Sequence, residues 1–509
     1  YLYTSTQFPW PADPIAEGRL PDSWVGPDNL PLANRVRYLP QRVRVDTAGH
    51  RVDVGGTPAA FIPSPFTFCL SCQVSYEQTR GRDFSKLITL DAEGRSSAVS
   101  VLSTSLVRAL REVPESELPA EARKLLTFVD NRQDASLQAG HLNDFVQVAQ
   151  LRGALYAAMK AAPRGLTHER VAAQVVDALG LEFADYAAAP DAVYAAKTRT
   201  QRALRDLVEY RLYLDLQRGW RITMPNLEQT GLLHVGYESL AEIAADQSLW
   251  SSALEPLRDA RDGHREELCR IVLDEFRKVL AVDVDCLSEL GFERVKRQSS
   301  QELTGVWAVP VNELVAPVGI VYAFASQPGK GRNDLHLTGR SALGRYLCRP
   351  NQFPGHAGKL STDDAQRIIQ DILGVLTRAG LLTEVDGNYG RRGYRLKASA
   401  LVWSAGNGTS AAADPIRKTV DADTGGRVNA FFRTLYQGVA HELRGLSARE
   451  HTAQVGPTER EERERAFRKG TLPLLYCSPT MELGVDISSL NAVGLRNVPP
   501  TPANYAQRS

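Results

Sequence analysis

Between Leu474 and Ile487 the chain reads Leu-Leu-Tyr-Cys-Ser-Pro-Thr-Met-Glu-Leu-Gly-Val-Asp-Ile. This is an apolar strand, then a turn carrying the hydroxyls of Ser478 and Thr480 and the carboxylate of Glu482, then a corner of Gly484, Val485 and Asp486. Functional groups of an α/β sheet gather at such strand ends, although each of these residues taken singly also fits an ordinary strand-end turn. A second set lies at 389–397, where Arg391, Arg392, Arg395 and Lys397 interleave with Tyr389 and Tyr394. Cations with interleaved aromatics suit a phosphate backbone and stacked bases; a solvated basic hairpin or a protein-binding one is the plainer alternative. The third set is Cys69-Leu-Ser-Cys72, a pair at metal-ligand spacing. Tetrahedral Zn2+ needs four ligands. The segment holds no second pair, so the others would come from upstream of Tyr1 or from Cys269 or Cys286; otherwise Cys69 and Cys72 are a reduced structural pair.

What the chain lacks narrows the chemistry further. It contains no Gly-x-x-x-x-Gly-Lys-Ser/Thr phosphate loop. The nearest string, Gln327 to Arg332, lacks the first glycine and the hydroxyl after the lysine and reads as a surface turn. No Asp-Glu-x-His or Asp-Glu-Ala-Asp box and no nucleophile signature is present. The segment alone is therefore not expected to hydrolyse ATP. The formal net charge of +1 does not announce a nucleic-acid partner, yet positive potential need only line a groove. A hydrophobic share of 43% and a charged share of 23% are those of a soluble globular protein. Apolar runs fall short of the ~18 residues of a membrane span, and the start Tyr1-Leu2-Tyr3 shows no signal-peptide pattern. Six thinly spread cysteines favour a reducing, cytoplasmic setting.

The run 474–487, with Gln507 and Arg508 beyond it, resembles motif V and the opening of motif VI of superfamily 2 helicases. Val129-Asp-Asn-Arg-Gln-Asp-Ala135 is similar to the first strand and turn of the second RecA-like domain in bacterial helicases of the DUF1998-associated group. That group includes MrfA-like repair helicases and the large helicases of phage-defence systems such as DISARM and Druantia. The resemblance covers roughly residues 65–160, 200–235 and 425–509. It implies that Thr480 donates to a nucleic-acid phosphate, that Gly484 permits close backbone approach, and that Asp486 contacts ribose or couples nucleotide to nucleic acid. Ser478 and Glu482 would support them, Arg132 and His451 would touch the tracking strand, and Gln507 and Arg508 would face the nucleotide. His451 read alone is a solvated loop histidine. In the family, motif VI continues with Gly-Arg and a further Gly-Arg, which do not follow Arg508 here, so the chain is expected to be a piece of a motor; with no phosphate loop and no Asp-Glu box it is expected to be the C-terminal half. ATP and Mg2+ would be bound mainly by a first RecA-like domain. DNA, single-stranded or partly duplex, and a defence-system protein are the implied partners. An RNA helicase and a non-catalytic DNA-binding scaffold are the rival readings.

Positioning these groups calls for about three domains in 509 residues. The expected fold class is α/β, a RecA-like helicase C-terminal domain split by a long, mainly helical insertion that includes a winged helix, preceded by a β-rich connector. Residues 1–104 form the connector, proline-rich, with strands at 42–45, 51–54 and 86–90 and the β pattern continuing to 103. Residues 105–160 begin the RecA-like domain with a helix at 105–112, an apolar strand at 124–129 and a long helix after it. A helical insertion follows at 161–334, with an irregular connector at 218–226. The winged helix occupies 335–403. Its signs are an N-cap at Ser361 with acidic Asp363 and Asp364 behind it, an amphipathic helix, a stop at Gly380 and two strands about a Gly-rich turn. A Gly/Ser/Ala run opens a flexible linker at 404–425. Residues 426–509 resume the α/β pattern, with a charged, solvated helix at 459–469.

Overall fold

The computed structural model describes the chain apart from residues 6–8, 16, 18, 21–23, 26–29, 71–93, 130, 218–223, 311, 326–332, 350, 351, 354, 357–359, 388, 389, 413, 417–427, 439–441, 479–491 and 496–509. The strand expected at 86–90, the 218–223 part of the connector and the turn at 327–332 lie outside the described residues.

Four strands form a parallel sheet in the order Ala448–His451, Leu474–Cys477, Leu125–Phe128, Val493–Leu495. The sequences Leu-Leu-Thr-Phe and Leu-Leu-Tyr-Cys are almost wholly apolar because both faces are covered. Leu125, Leu474 and Tyr476 point to the main core under helix Arg132–Lys160, whereas Leu126, Phe128, Leu475 and Cys477 point the other way, to Phe467 and Leu472. The long helix also fixes the edge strand, because the Asn143 side chain accepts from Ala448 N at 2.8 Å and donates to Ala448 O at 3.0 Å.

Helix Gly94–Glu112 packs on the long helix and is longer than expected: residues 94–103 are helical, not β. Among its described residues the buried stripe is Ser100, Ser103, Thr104 and Val107, a helical spacing written mostly in hydroxyl residues. Ser100 Oγ meets His141 Nδ1 at 2.9 Å and accepts from Gln138 Nε2 at 3.2 Å, and Tyr476 Oη donates to Ser103 Oγ at 3.3 Å.

The C-terminal half of helix Arg132–Lys160 runs on into the intervening segment. It packs against helix His168–Leu179 and strand Leu401–Ala405, and a single apolar cluster extends from Val107 through the helices to Tyr476. Strand Leu401–Ala405 lies between Leu166–Thr167 and Leu233–Tyr237 in an antiparallel sheet. The run 404–412, expected to be a flexible linker, is pinned. Gly406 N donates to Leu232 O, Gly408 N to Gly231 O and Ala412 N to Glu228 O, all at 2.8–2.9 Å. These partners lie far off in sequence, so local composition does not show them.

Helix Thr362–Arg378 begins with a capping box between Ser361 and Asp364, ends before Gly380 at φ 83°, and leads into strands Leu382–Asp386 and Arg392–Lys397. The second of these strands also pairs antiparallel with Val321–Tyr322 and parallel with Val282–Asp283.

The N-terminal region forms a three-stranded antiparallel sheet, Leu2–Tyr3, Thr57–Phe61 and Gln41–Val45, over a separate core that includes Trp10, Trp24 and Phe68. Residues 51–54, expected as a strand, lie in the loop of the hairpin, and the partner of Gln41–Val45 is Thr57–Phe61. Gly55 and Gly56, at φ 76° and 64°, turn the chain there; a Cβ on Gly56 would lie 2.5 Å from Val45 O.

Candidate functional site

The parallel sheet brings three sequence-predicted positions to one edge. His451 is in register with Cys477, and Cys477 with Phe128, so the three strands end level. Past those ends come Thr452, Ser478 and the turn to Arg132. Val129 N donates to Cys477 O at 2.9 Å, which extends the pairing one residue further. Ser478 and Thr452 are buried there, and Arg132 is exposed at the first position of its helix. Asn131 caps that helix by accepting from Asp134 N at 2.9 Å and donating to Asp134 Oδ2 at 3.1 Å.

His451 is not a solvated loop residue. It is 0% exposed, and its Nε2 lies 2.8 Å from Glu464 Oε1. A carboxylate only accepts, so Nε2 carries the proton. Nδ1 has no hydrogen-bond partner among the described residues. Arg463 donates to Glu450 O at 2.6 Å and lies 3.2 Å from the Glu450 carboxylate. Arg463 and Glu464 thus dock helix Pro457–Arg468 against the end of the 448–451 strand, and the helix expected to be only a solvated face is clamped on that side. Burial pushes the neighbouring Cys477 thiol well above its ordinary pKa and leaves it an inert core group. Glu464→Ala should cost about 1–3 kcal/mol, because it strands a buried donor. The urea midpoint should fall with an unchanged slope, and Glu464→Gln, which keeps an acceptor oxygen, should restore most of the loss.

The basic positions of the 382–397 hairpin do not form one cluster. Arg392 and Tyr394 fall on one side of the pleat and Arg395 and Lys397 on the other. Arg392 is exposed and pairs with Glu384 at 2.8 Å, while Arg391 lies over the Phe324 ring at 4.9 Å. Arg395 and Lys397 are half-buried. Tyr389 lies outside the described residues, as do Thr480, Glu482, Gly484, Asp486, Gln507, Arg508 and Cys72. Cys69 packs on the N-terminal core, whereas Cys269 and Cys286 are buried in the main core, so these two do not complete its ligand set. Among the described residues no three His, Cys, Asp or Glu side chains converge as a metal site. Among the described residues the sheet edge presents the exposed cation of Arg132, which fits a phosphate, and no carboxylate set for Mg2+ converges there.

Sequence reasoning missed a buried polar junction beside this domain, made of Arg152, Asp215 and Tyr436. The Arg152 guanidinium takes Asp215 with two bonds, at 3.0 and 2.6 Å, and donates to Tyr436 Oη at 2.8 Å. An arginine inside a helix of mixed composition carries no local mark of burial.

Three of the four parallel strands, with the helix docked on them, fall in the C-terminal part of the chain. Residues 414–509 match the helicase conserved C-terminal domain. That match and the parallel sheet together fit a RecA-like α/β fold. The chain is also similar to Druantia protein DruE of Escherichia coli (strain UMEA 4076-1), at 38% identity over 112 residues, 18% of this chain and 6% of that protein. No solved structure matches the chain. No described helix is long and apolar enough to cross a membrane.

Proposed function

We propose that the chain is the C-terminal motor half of an ATP-dependent DNA helicase or translocase of superfamily 2 that serves in phage defence. The observation that carries this reading is the helicase C-terminal domain match at 414–509, together with the parallel sheet that brings Arg132, His451 and Ser478 to one edge. Phosphoryl-transfer motors act through positioning and charge neutralisation, and the sequence beyond Cys477 continues with Thr480, Glu482, Gly484 and Asp486, then Gln507 and Arg508. In this reading Thr480 holds a strand phosphate, Asp486 couples it to the nucleotide, and Gln507 and Arg508 face ATP. ATP and Mg2+ are held mainly by a phosphate-loop domain whose motif this sequence does not contain. His451 acts by positioning the strand end and not by direct contact, since it is buried against Glu464.

The 335–403 region serves as a winged helix that holds duplex or directs the displaced strand. Its order of strand Leu335–His336, two helices and a hairpin supports this, with Val321–Tyr322 lying between that strand and the second hairpin strand. The similarity to Druantia protein DruE favours defence over repair. The protein works in the cytoplasm, and Cys69 with Cys72 would need ligands from elsewhere to hold Zn2+.

The test is ATP hydrolysis by the intact protein without nucleic acid and with single-stranded DNA, duplex DNA or RNA. Stimulation by DNA is the expected result. Stimulation by RNA alone would replace the reading with an RNA helicase, since phosphate contacts do not separate the two polymers. No hydrolysis by folded protein would leave a scaffold, or a motor completed by a partner subunit.

A further inference from the structure

The N-terminal sheet carries a groove of about 630 Å3, within the size range of ligand sites. Three arginines line it. Arg42 and Arg44 share one face of strand Gln41–Val45 by the period-two alternation, and Arg51 follows across the hairpin, where Val45 pairs with it. Arg44 is committed to structure, because its guanidinium donates to Gly55 O and to Gly56 O, the latter at 2.9 Å. Arg42 and Arg51 are exposed, and neither has an ion-pair partner among the described residues. Asp53 is the one carboxylate among the lining residues. Part of the lining is apolar: Trp10 is buried with its ring packed against Arg19 at 5.6 Å and Phe68 at 6.1 Å, so the half-buried Tyr3 is the aromatic side chain left partly open to the groove.

Such a groove selects an anion with flat apolar parts. Planar guanidinium forks match phosphate oxygens two at a time, and a partly open aromatic ring such as Tyr3 takes an unpaired base without regard to sequence. A peptide adding to the sheet edge is disfavoured, because Val52 N already donates to Arg44 O at 2.9 Å and covers that edge. We propose that this groove is a second nucleic-acid site, which holds single-stranded DNA or RNA through Arg42 and Arg51, away from the parallel sheet. The choice of nucleic acid as the polyanion rests on the helicase reading above.

The experiment is fluorescence anisotropy of a labelled oligothymidylate with the full chain, without nucleotide, over a range of salt. The paired variant Arg42→Gln, Arg51→Gln should bind about tenfold more weakly, and its slope of log affinity against log salt should shrink by about 1.4, two phosphate contacts on a single strand. Asp53→Asn should bind about threefold more tightly, a gain that misfolding does not produce. Variants that bind like the parent overturn the groove and leave the motor reading to the turnover assay. A parent that binds no oligonucleotide overturns the groove whatever that assay shows. Capture of an acidic peptide in its place, abolished in the paired variant, also overturns it and assigns the groove to a protein partner.

Discussion

Arg152→Ala is expected to destabilise the protein by about 3–5 kcal/mol, the range for removing one partner of a buried ion pair. Arg152 lies near the C-terminal end of helix Arg132–Lys160, at the point where that helix leaves the parallel sheet and enters the intervening segment. Its side chain is 2% exposed. Besides Asp215 and Tyr436 it donates to Met224 O at 3.2 Å and Pro225 O at 3.0 Å, and Tyr436 Oη donates to Pro225 O at 2.8 Å. Burial alone would pull the Arg152 pKa down, but the Asp215 carboxylate and the Tyr436 hydroxyl beside it more than reverse that, so the group stays charged. Alanine removes the cation from beside the Asp215 carboxylate, whose side chain is only 14% exposed.

The same junction ties helix Tyr194–Asp215 and helix Ala430–Gly438 to the sheet-bearing helix, so the variant should also loosen the coupling between them. The parent is expected to unfold these parts in one urea transition, and Arg152→Ala in two. Arg152→Lys keeps the charge but loses the fork, and should fall between parent and alanine. The pair Arg152→Met, Asp215→Leu should recover much of the loss, because replacing both partners by apolar groups strands neither. A loss below about 1 kcal/mol for Arg152→Ala would put the junction among ordinary surface ion pairs and sink the argument.

The two central strands were legible because burial on both faces writes itself as unbroken apolar sequence. Helix Thr362–Arg378 was legible because its cap, apolar stripe and glycine stop agree. Helix Gly94–Glu112 was missed over its first half because its fully buried described positions there are Ser100, Ser103 and Thr104, with hydrogen bonds linking Ser100 to Gln138 and His141, while Val99 and Val101 are only half-buried against the core. The ordered run 404–412 was misread for a related reason: its backbone partners, Glu228 to Leu232, are nearly two hundred residues away in sequence. Arg152 and the arginines of the N-terminal groove depend on register and on tertiary burial, which no short window contains. At the candidate site the balance is reversed. The strand ends that carry His451 and Ser478 are defined by structure, whereas Thr480 to Asp486 and Gln507 to Arg508 are assigned by sequence. His451 shows what the structure adds, since the same residue that reads as a solvated loop histidine is enclosed against Glu464.

Asp486→Ala in the intact protein is expected to reduce DNA-stimulated ATP turnover by about a hundredfold or more, the scale of losing one preorganised polar contact in an active site. The fold should not follow. Strand Leu474–Cys477 is fully buried and paired on both sides, with Ala448–His451 and with Leu125–Phe128, and this pairing is complete before Asp486 is reached. The urea midpoint should therefore move little while turnover collapses. Thr480→Ala separates the two proposed roles. A hydroxyl that holds a strand phosphate should, when lost, weaken the response to DNA and raise the DNA concentration needed for half-stimulation, with DNA-free turnover largely kept. A carboxylate that couples nucleotide to nucleic acid should abolish stimulation even at saturating DNA. If Asp486→Ala turns over like the parent, the corner at Gly484 to Asp486 is only a strand-end turn. The chemistry would then have to be sought on the exposed side of the same sheet edge, at Arg132.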